Sequence, residues 1–240
     1  MEKLKMARVI KEAAVRRSEI LGSAQRIIYS VGYENLTIQA ILDDLKIPKG
    51  LFYHYFPSKQ DMMIALLEGI ADQMEKFQKP ILCNKQLSAL QKLQAFFEES
   101  ARWKMAQKEL FIQLTRIWFS DSNLFVREKA RKMVLRRISP MLEEIIVQGI
   151  SEGSFFTSFP AQAAIMVVAL MQSFQEVLIV HFESADELKP DFKAIKTETD
   201  AFADGIERIL GAPKGSCQLI NLELIEEWFN DCSNKLIGAQ

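Results

Sequence analysis

Apolar residues recur along this chain at intervals of three and four, which is the spacing of a helix with one buried face. The first clear run contains Ile20, Ala24, Ile28 and Val31, and Gly32 follows as a helix-ending glycine. The same spacing continues towards the C-terminus with Gly and Pro at the breaks, and no segment alternates as a strand does. The pattern predicts an all-α protein with helices at about 16–31, 37–45, 49–55, 58–79, 86–106, 108–119, 123–150, 160–183, 192–211 and 219–236.

Residues 37–56 predict two short helices joined by a tight turn. Thr37 is expected to cap the first of them, because its hydroxyl can accept a hydrogen bond from a free backbone N–H. Pro48 suits the start of the second, Lys49–Tyr55, since the proline N–H is not needed there. Ser58 then opens a long helix with a variant capping box. Together with the helix before it, this arrangement can place one helix in the major groove of DNA.

Composition narrows the class of protein. The chain has 240 residues, of which 49% are hydrophobic and 25% charged, so it is a folded globular protein of one large or two small domains. Three widely spaced Cys and two separated His exclude a disulfide framework and predict neither a metal site nor a cofactor. The N-terminus has no signal-peptide pattern, and the apolar run 163–171 is about half of what a bilayer requires. We therefore expect a soluble, cytoplasmic protein with no membrane partner.

Charge is unevenly distributed along the chain. Residues 1–60 contain ten Lys and Arg against six Asp and Glu, a net charge of +4, so the remaining residues carry −5. A basic head on an acidic body favours a polyanionic partner for the head.

The second short helix has the chemistry of a DNA-contacting surface. It is too short to bury all its faces, and Gly50 allows the backbone to approach a phosphate closely. Lys59 lies at the start of the next helix, where free N–H groups and the helix dipole favour an anion. The polar residues on the helix itself are Lys49, Tyr53, His54 and Tyr55.

One combination of residues is specific. Gly32, the capping Thr37, the Lys-Gly pair at 49–50, the Tyr-x-x-Phe cluster at 53–56 and the trailing Lys59 closely resemble the N-terminal DNA-binding domain of TetR-family transcriptional regulators. The resemblance covers roughly residues 15–65, about a quarter of the chain. The rest is similar only in helix count, length and acidic-apolar character. The resemblance implies a DNA-binding domain at 1–60 and an effector-binding, dimerising domain at 61–240.

The resemblance also implies which residues contact DNA. Phe52 and Phe56 are expected in the core of the head. Gln39 and Lys49 alone have obvious reach to the bases, which favours few direct contacts together with recognition of DNA shape. The basic segment before Arg16 is either a solvated tail or an extension of the first helix that touches the backbone. The implied DNA contacts are Thr37, Gln39, Lys49, Gly50, Leu51, Tyr53, His54, Tyr55 and Lys59.

Residues 160–183 are apolar around much of the helix circumference, so this helix is expected to be buried on several sides. Together with the helix at 192–211, it predicts a four-helix bundle formed by two copies of the chain. A protein that recognises a palindromic DNA site requires two copies. The alternative is a central core helix in a monomer. The predicted interface residues are Val167, Leu170, Met171, Phe174, Leu178, Phe202, Ile206 and Ile209.

The body is also expected to hold a small lipophilic effector, either an acyl-chain compound or a planar aromatic. Sixteen Phe and ten Met suit an adaptable apolar cavity, although ordinary core packing explains any single one of them. The possible polar anchors for the effector are Gln172, Gln175 and Arg102. The predicted lining residues are Leu66, Ile70, Met74, Phe97, Trp103, Phe111, Leu114, Trp118, Leu142, Gln172 and Gln175.

The sequence thus predicts a repressor that binds a palindromic operator in double-stranded DNA as a homodimer and is released by its effector. An activator with the same DNA contacts is an alternative, and so is an adaptor or ligand-binding protein that does not bind DNA. The chain lacks the glycine-rich phosphate-binding, nucleophile-elbow and paired metal-ligand motifs, so we do not expect an enzyme.

Overall fold

The computed structural model describes residues 2–119, 123–184 and 191–228. Only the backbone is described for residues 2–12, 34, 115–119 and 182–184. All regular elements within these ranges are helical, which confirms the predicted all-α class. A 3₁₀ turn at Tyr33–Asn35 separates the first two α-helices. The helices are α1 (Glu2–Val31), α2 (Ile38–Leu45), α3 (Lys49–Tyr55), α4 (Lys59–Cys83), α5 (Ala89–Ala106), α6 (Lys108–Phe119), α7 (Leu124–Glu152), α8 (Pro160–Ser184), α9 (Phe192–Leu210) and α10 (222–228).

Four helix bounds differ from the predicted ones by three residues or more. Helix α5 begins at Ala89 instead of near 86. Helix α1 begins at Glu2 instead of near Arg16. Helix α4 continues through Pro80 to Cys83, and the proline and Lys76, whose carbonyl loses its helical hydrogen bond, are both exposed. The last helix begins at 222, and the predicted part at 229–236 lies outside the described residues.

The described residues form two compact units, the first comprising 2–70, 109–119 and 123–130 and the second comprising 71–108, 131–184 and 191–228. This division differs from the boundary predicted at residue 60. Met62 and Met63 of α4 and Leu110 of α6 are buried in the core of the first unit, so the three-helix head alone does not complete that core.

The core of the first unit follows the predicted helical spacing. Ile20, Ala24 and Ile28 are fully buried along one face of α1. Phe52 of α3 and Phe56, the residue that follows this helix, are buried with them, and their ring centroids lie 5.9 Å apart. This packing confirms the core positions expected for both phenylalanines and fixes the orientation of α3.

The core of the second unit is built from α5, α7, α8 and α9. Phe174 of α8 stacks on Phe202 of α9 with ring centroids 4.5 Å apart. At the end of α7 the chain turns back so tightly that a Cβ on Gly149 would lie 2.1 Å from the ring of Phe155. Only glycine fits at this position, and the buried Phe155 ring closes this end of the core.

Candidate nucleic-acid interface

Local chemistry forms the helix–turn–helix. The Thr37 hydroxyl accepts a hydrogen bond from the N–H of Ala40 at 3.0 Å, which confirms its predicted capping role. Helix α2 ends at Leu45, and the left-handed backbone of the next residue, Lys46 (φ 52°), turns the chain sharply. The N–H of Ile47 then bonds the carbonyl of Leu42 at 3.1 Å and closes the turn. Helix α3 follows at Lys49–Tyr55, as predicted.

Helix α3 buries Phe52 and presents its opposite face to solvent. Lys49 and His54 are exposed, and Tyr53 is 43% exposed. The Lys49 ammonium lies 5.8 Å from the centroid of the Tyr53 ring, so a cation–π contact holds a positive charge beside a phenol on the exposed face. The predicted contacts Leu51 and Tyr55 are half-buried at the edges of this face.

Gly50 opens this face to a close approach. A Cβ added at Gly50 would meet no atom within 4 Å, so the space beside its backbone is free. A phosphate or a base edge can therefore reach the first turn of α3 without displacing a side chain.

Lys59 is held in place by a residue that sequence reasoning did not select. Its ammonium lies 4.5 Å from the centroid of the Tyr33 ring, and the Tyr33 hydroxyl donates to Asn123 Oδ1 at 2.7 Å. Burial lowers the pKa of the half-buried Lys59. The Gly-Tyr pair at 32–33 was visible in the sequence and could have pointed to Tyr33. Its hydrogen-bond partner Asn123 lies 90 residues further along the chain, and nothing in the sequence indicated it.

A second missed group joins α1 to α2. Asp44 Oδ2 accepts hydrogen bonds from the hydroxyl of the buried Ser23 at 2.6 Å and from Arg26 at 2.7 Å. The pKa of Asp44 is lowered, mainly by the Ser23 hydrogen bond and then by Arg26. The predicted contact Gln39, which is exposed, donates to Asp43 Oδ1 at 2.8 Å on its own helix.

The basic excess of the head lies in the first half of α1. Residues 2–17 contain six Lys and Arg against two Glu, a net charge of +4, whereas residues 18–60 are balanced with four of each sign. Of the two structures considered for this segment, a tail or a helical extension, the described backbone is helical from Glu2.

The structure divides the predicted lining residues between the two cores. Leu66 is buried in the core of the first unit, where Ile70 and Leu114 pack against it, and Phe111 is half-buried in the same unit. Four predicted lining residues belong to the second unit. Phe97 and Leu142 are buried in its core, Trp103 is buried and Met74 is half-buried.

The predicted polar anchors differ in their surroundings. The Gln172 amide donates to the carbonyl of Arg131 at 3.0 Å, and Gln175 is exposed. Arg102 is also exposed and makes a 3.5 Å ion pair with Glu99. The side chain of Trp118 lies outside the described residues. The role of all these residues as ligand contacts stays a prediction.

The predicted dimer residues mostly pack inside the chain itself. Val167, Phe174, Phe202 and Ile206 are buried in the core of the second unit, and Leu170, Met171, Leu178 and Ile209 pack against that core. The apolar side chains of α8 that remain exposed are others: Ile165 (45%), Met166 (57%) and Val180 (54%).

Helix α8 is also the one helix in the described part of the chain that is long and apolar enough to cross a membrane, over Pro160–His181. Only 28% of this stretch is buried within the chain. Val167 and Val168 on α8 are fully buried in the core, so the helix is part of the globular fold and still has an uncovered apolar side. Among the described residues, no three His, Cys, Asp or Glu side chains come together as metal ligands.

A three-helix core that presents the exposed face of α3 defines a helix–turn–helix DNA-binding protein. Residues 20–66 match the family model described as bacterial regulatory proteins of the tetR family. This match shows a DNA-binding domain of the TetR type at residues 20–66, and relatives that align over more of the chain are transcriptional regulators.

Two relatives and one solved structure illustrate this similarity. An uncharacterized HTH-type regulator from the lacX 3′ region of Lactococcus lactis is 32% identical over 40% of this chain, and the match spans only 48% of the relative. The HTH-type transcriptional repressor KstR2 of Mycobacterium tuberculosis is 28% identical over 62% of this chain and 74% of its own length. The crystal structure of RolR in complex with resorcinol is 17% identical, with a TM-score of 0.56 over 90% of this chain and 95% of RolR. Both relatives are regulators of transcription, and the RolR structure shares the fold.

Proposed function

We propose that the protein is a repressor that binds a palindromic operator as a homodimer and releases it when a small lipophilic effector binds the body. The observation that carries this proposal is the exposed face of α3, where the Lys49–Tyr53 pair lies beside the open backbone of Gly50. A repressor among the relatives and a resorcinol complex among the similar structures support the repressor and effector parts.

The exposed face of α3 supports the DNA contacts that the resemblance implies. Lys49 and the first turn of α3 approach base edges, while Tyr53, Tyr55 and Lys59 bind phosphates on either side. Thr37 and Gln39 at the start of α2 contact the opposite edge of the groove, for which Gln39 exchanges its hydrogen bond to Asp43 for one to DNA. The basic first half of α1 adds sequence-independent attraction to the duplex.

Release by an effector requires a connection between body and head. Helix α4 supplies Met62, Met63 and Leu66 to the core of the first unit, and its residue Leu82 packs against the core of the second. A ligand that displaces the second half of α4 therefore acts on the head through one continuous helix. It weakens DNA binding only to the extent that it prefers the conformation that does not bind DNA.

Selection from random-sequence duplexes with the full-length protein tests the proposal. We expect an enriched inverted repeat whose half-site centres lie about 34 Å apart, or a multiple of that distance. Failure to enrich any sequence would favour the adaptor alternative. Binding to an inverted repeat that raises transcription in a reporter assay would favour an activator.

The exposed apolar side of α8 is the surface that we expect a second copy to cover. Changing both Ile165 and Met166 to Glu should weaken dimerisation by at least about 100-fold, because two charges would be buried without partners. Sedimentation equilibrium at micromolar concentration measures the effect. The matched control is Gln175→Glu, which adds a charge at an exposed position of the same helix and should leave the dimer intact. A dimer of unchanged affinity in the double variant would contradict this interface.

A further inference from the structure

A buried polar cluster lies where α4 packs against α5 in the second unit. Gln78 of α4 is only 1% exposed, and its Nε2 donates to the hydroxyl of Ser100 on α5 at 3.0 Å. The single proton of that hydroxyl is given to the carbonyl of Phe96 at 2.6 Å, so Ser100 can only accept from Gln78. This fixes the orientation of the amide and leaves Gln78 Oε1 buried, with no hydrogen-bond partner among the described residues.

Lys104 lies one helical turn beyond Ser100, on the same face of α5. It is half-buried, and its ammonium makes no hydrogen bond or ion pair with any described side chain. Burial is the one cause of the lowering of its pKa to about 8, so no neighbouring carboxylate compensates the charge. A desolvated cation without a counter-ion is costly, and an anionic ligand would remove that cost.

The surroundings of this cluster are apolar. Phe77 directly precedes Gln78 in the chain and Trp103 directly precedes Lys104, and the centroids of their two rings lie 6.5 Å apart. Trp103 is buried, and Phe77 is half-exposed, at 52%. One cation, one unpaired acceptor and two aromatic rings are the set of groups that binds an amphiphilic acid.

We propose that Lys104 and Gln78 hold the polar end of the effector, and that the effector is a small amphiphilic carboxylic acid. Its carboxylate pairs with the Lys104 ammonium, its apolar body lies against Trp103 and Phe77, and Gln78 Oε1 accepts a hydrogen bond from a hydroxyl or N–H of the ligand. This assignment rests on the proposed effector response and specifies its chemistry.

Matched acids and amides of the same shape test the assignment. We would titrate the full-length protein at pH 7 by calorimetry with 2-naphthoate and 2-naphthamide, and with decanoate and decanamide. In at least one of the two pairs the acid should bind at least about tenfold more tightly than the amide, because only the acid supplies a negative charge, and this charge outweighs the hydrogen bond that the amide N–H can donate to Gln78 Oε1. Lys104→Met should abolish the preference, and Lys104→Arg should retain it. The control Lys85→Met, at an exposed position before α5, should also retain it.

Equal affinity of acid and amide in both pairs, or no binding of any probe, would overturn the assignment. A preference for the acid that survives in Lys104→Met would remove Lys104 from the site. Operator binding of the same preparation, measured by fluorescence anisotropy, separates these outcomes from a failure of the proposed function. A protein that binds its operator and ignores carboxylates refutes the effector chemistry alone.

Discussion

Changing Lys49 and Tyr53 together to alanine should weaken operator binding by about 1,000-fold without lowering thermal stability. Each lost contact to a base or phosphate costs roughly 1 kcal/mol in one subunit, so four lost contacts in a dimer cost about 4 kcal/mol. Both side chains are exposed on α3, and the buried Phe52 that anchors the helix is untouched. Fluorescence anisotropy with the selected inverted repeat at fixed salt measures the loss.

The chain offers a matched control for this variant. On α7 the Lys129 ammonium lies 5.4 Å from the centroid of the Phe125 ring, and Phe125 is 53% exposed. Changing both of these residues to alanine removes a lysine and an aromatic ring in a similar arrangement on another helix of the first unit. The control should keep its affinity for DNA. An equal loss in both double variants, or a loss below tenfold in the α3 variant, would contradict the assignment of the interface.

The bounds of α3 were predictable because short-range chemistry determines them. A threonine hydroxyl caps α2, and Pro48 precedes the first residue of α3 with the extended backbone that proline favours. The alternation of buried Phe52 and exposed Tyr53 follows from helical periodicity alone. Each of these signals lies within a few residues of the feature that it determines.

The contacts that support the interface were not predictable in the same way. Tyr33 lies beside Lys59 and bonds Asn123, a residue of the last segment of the first unit. Ser23 and Asp44 meet across 21 positions of sequence. Hydrophobic periodicity identifies the buried face of each helix, but it does not identify which distant polar groups meet.

Helix α8 shows a different limit. Because it is apolar around most of its circumference, its pattern does not distinguish the side that packs on its own chain from the side left for a partner. The structure places Val167 and Phe174 in the core and leaves Ile165 and Met166 exposed. The large amount of apolar surface on α8 was therefore predictable. Only the coordinates distinguish the part that packs against its own chain from the part that stays exposed.

The free energy of unfolding should depend on pH through Lys104. The pKa of this lysine is about 8 in the folded chain against an ordinary value of 10.5, and burial is the cause. Between pH 8 and 10.5 the unfolded chain binds a proton that the folded chain does not, so stability rises with pH in this range. At about 1.36 kcal/mol for each unit of pKa, a shift of this size corresponds to an upper limit between about 3 and 4 kcal/mol. The half-exposure of the side chain reduces this value.

Lys104→Met removes this titration and retains most of the side-chain stem. At pH 7 lysine is protonated in both states, so the wild type carries the full penalty and the variant should be the more stable protein. The difference should shrink as the pH rises from 8 to 10.5. Urea unfolding of both proteins at equal concentration measures it at each pH, and other titrating groups cancel in the comparison. Asp72 and Glu75, the carboxylates on α4 that pair with Arg137, do not contribute to the Lys104 shift.

The exposed Lys85 provides the reference for an ordinary lysine, and Lys85→Met should differ from the wild type by the same small amount at every pH. If Lys104→Met behaves in the same way, water reaches the Lys104 ammonium and solvates it fully. The amine would then need no counter-ion, and the physical reason for an anionic ligand beside Gln78 would disappear with it. A difference that narrows with rising pH would instead show a charge that the fold leaves uncompensated, which a bound carboxylate can neutralise.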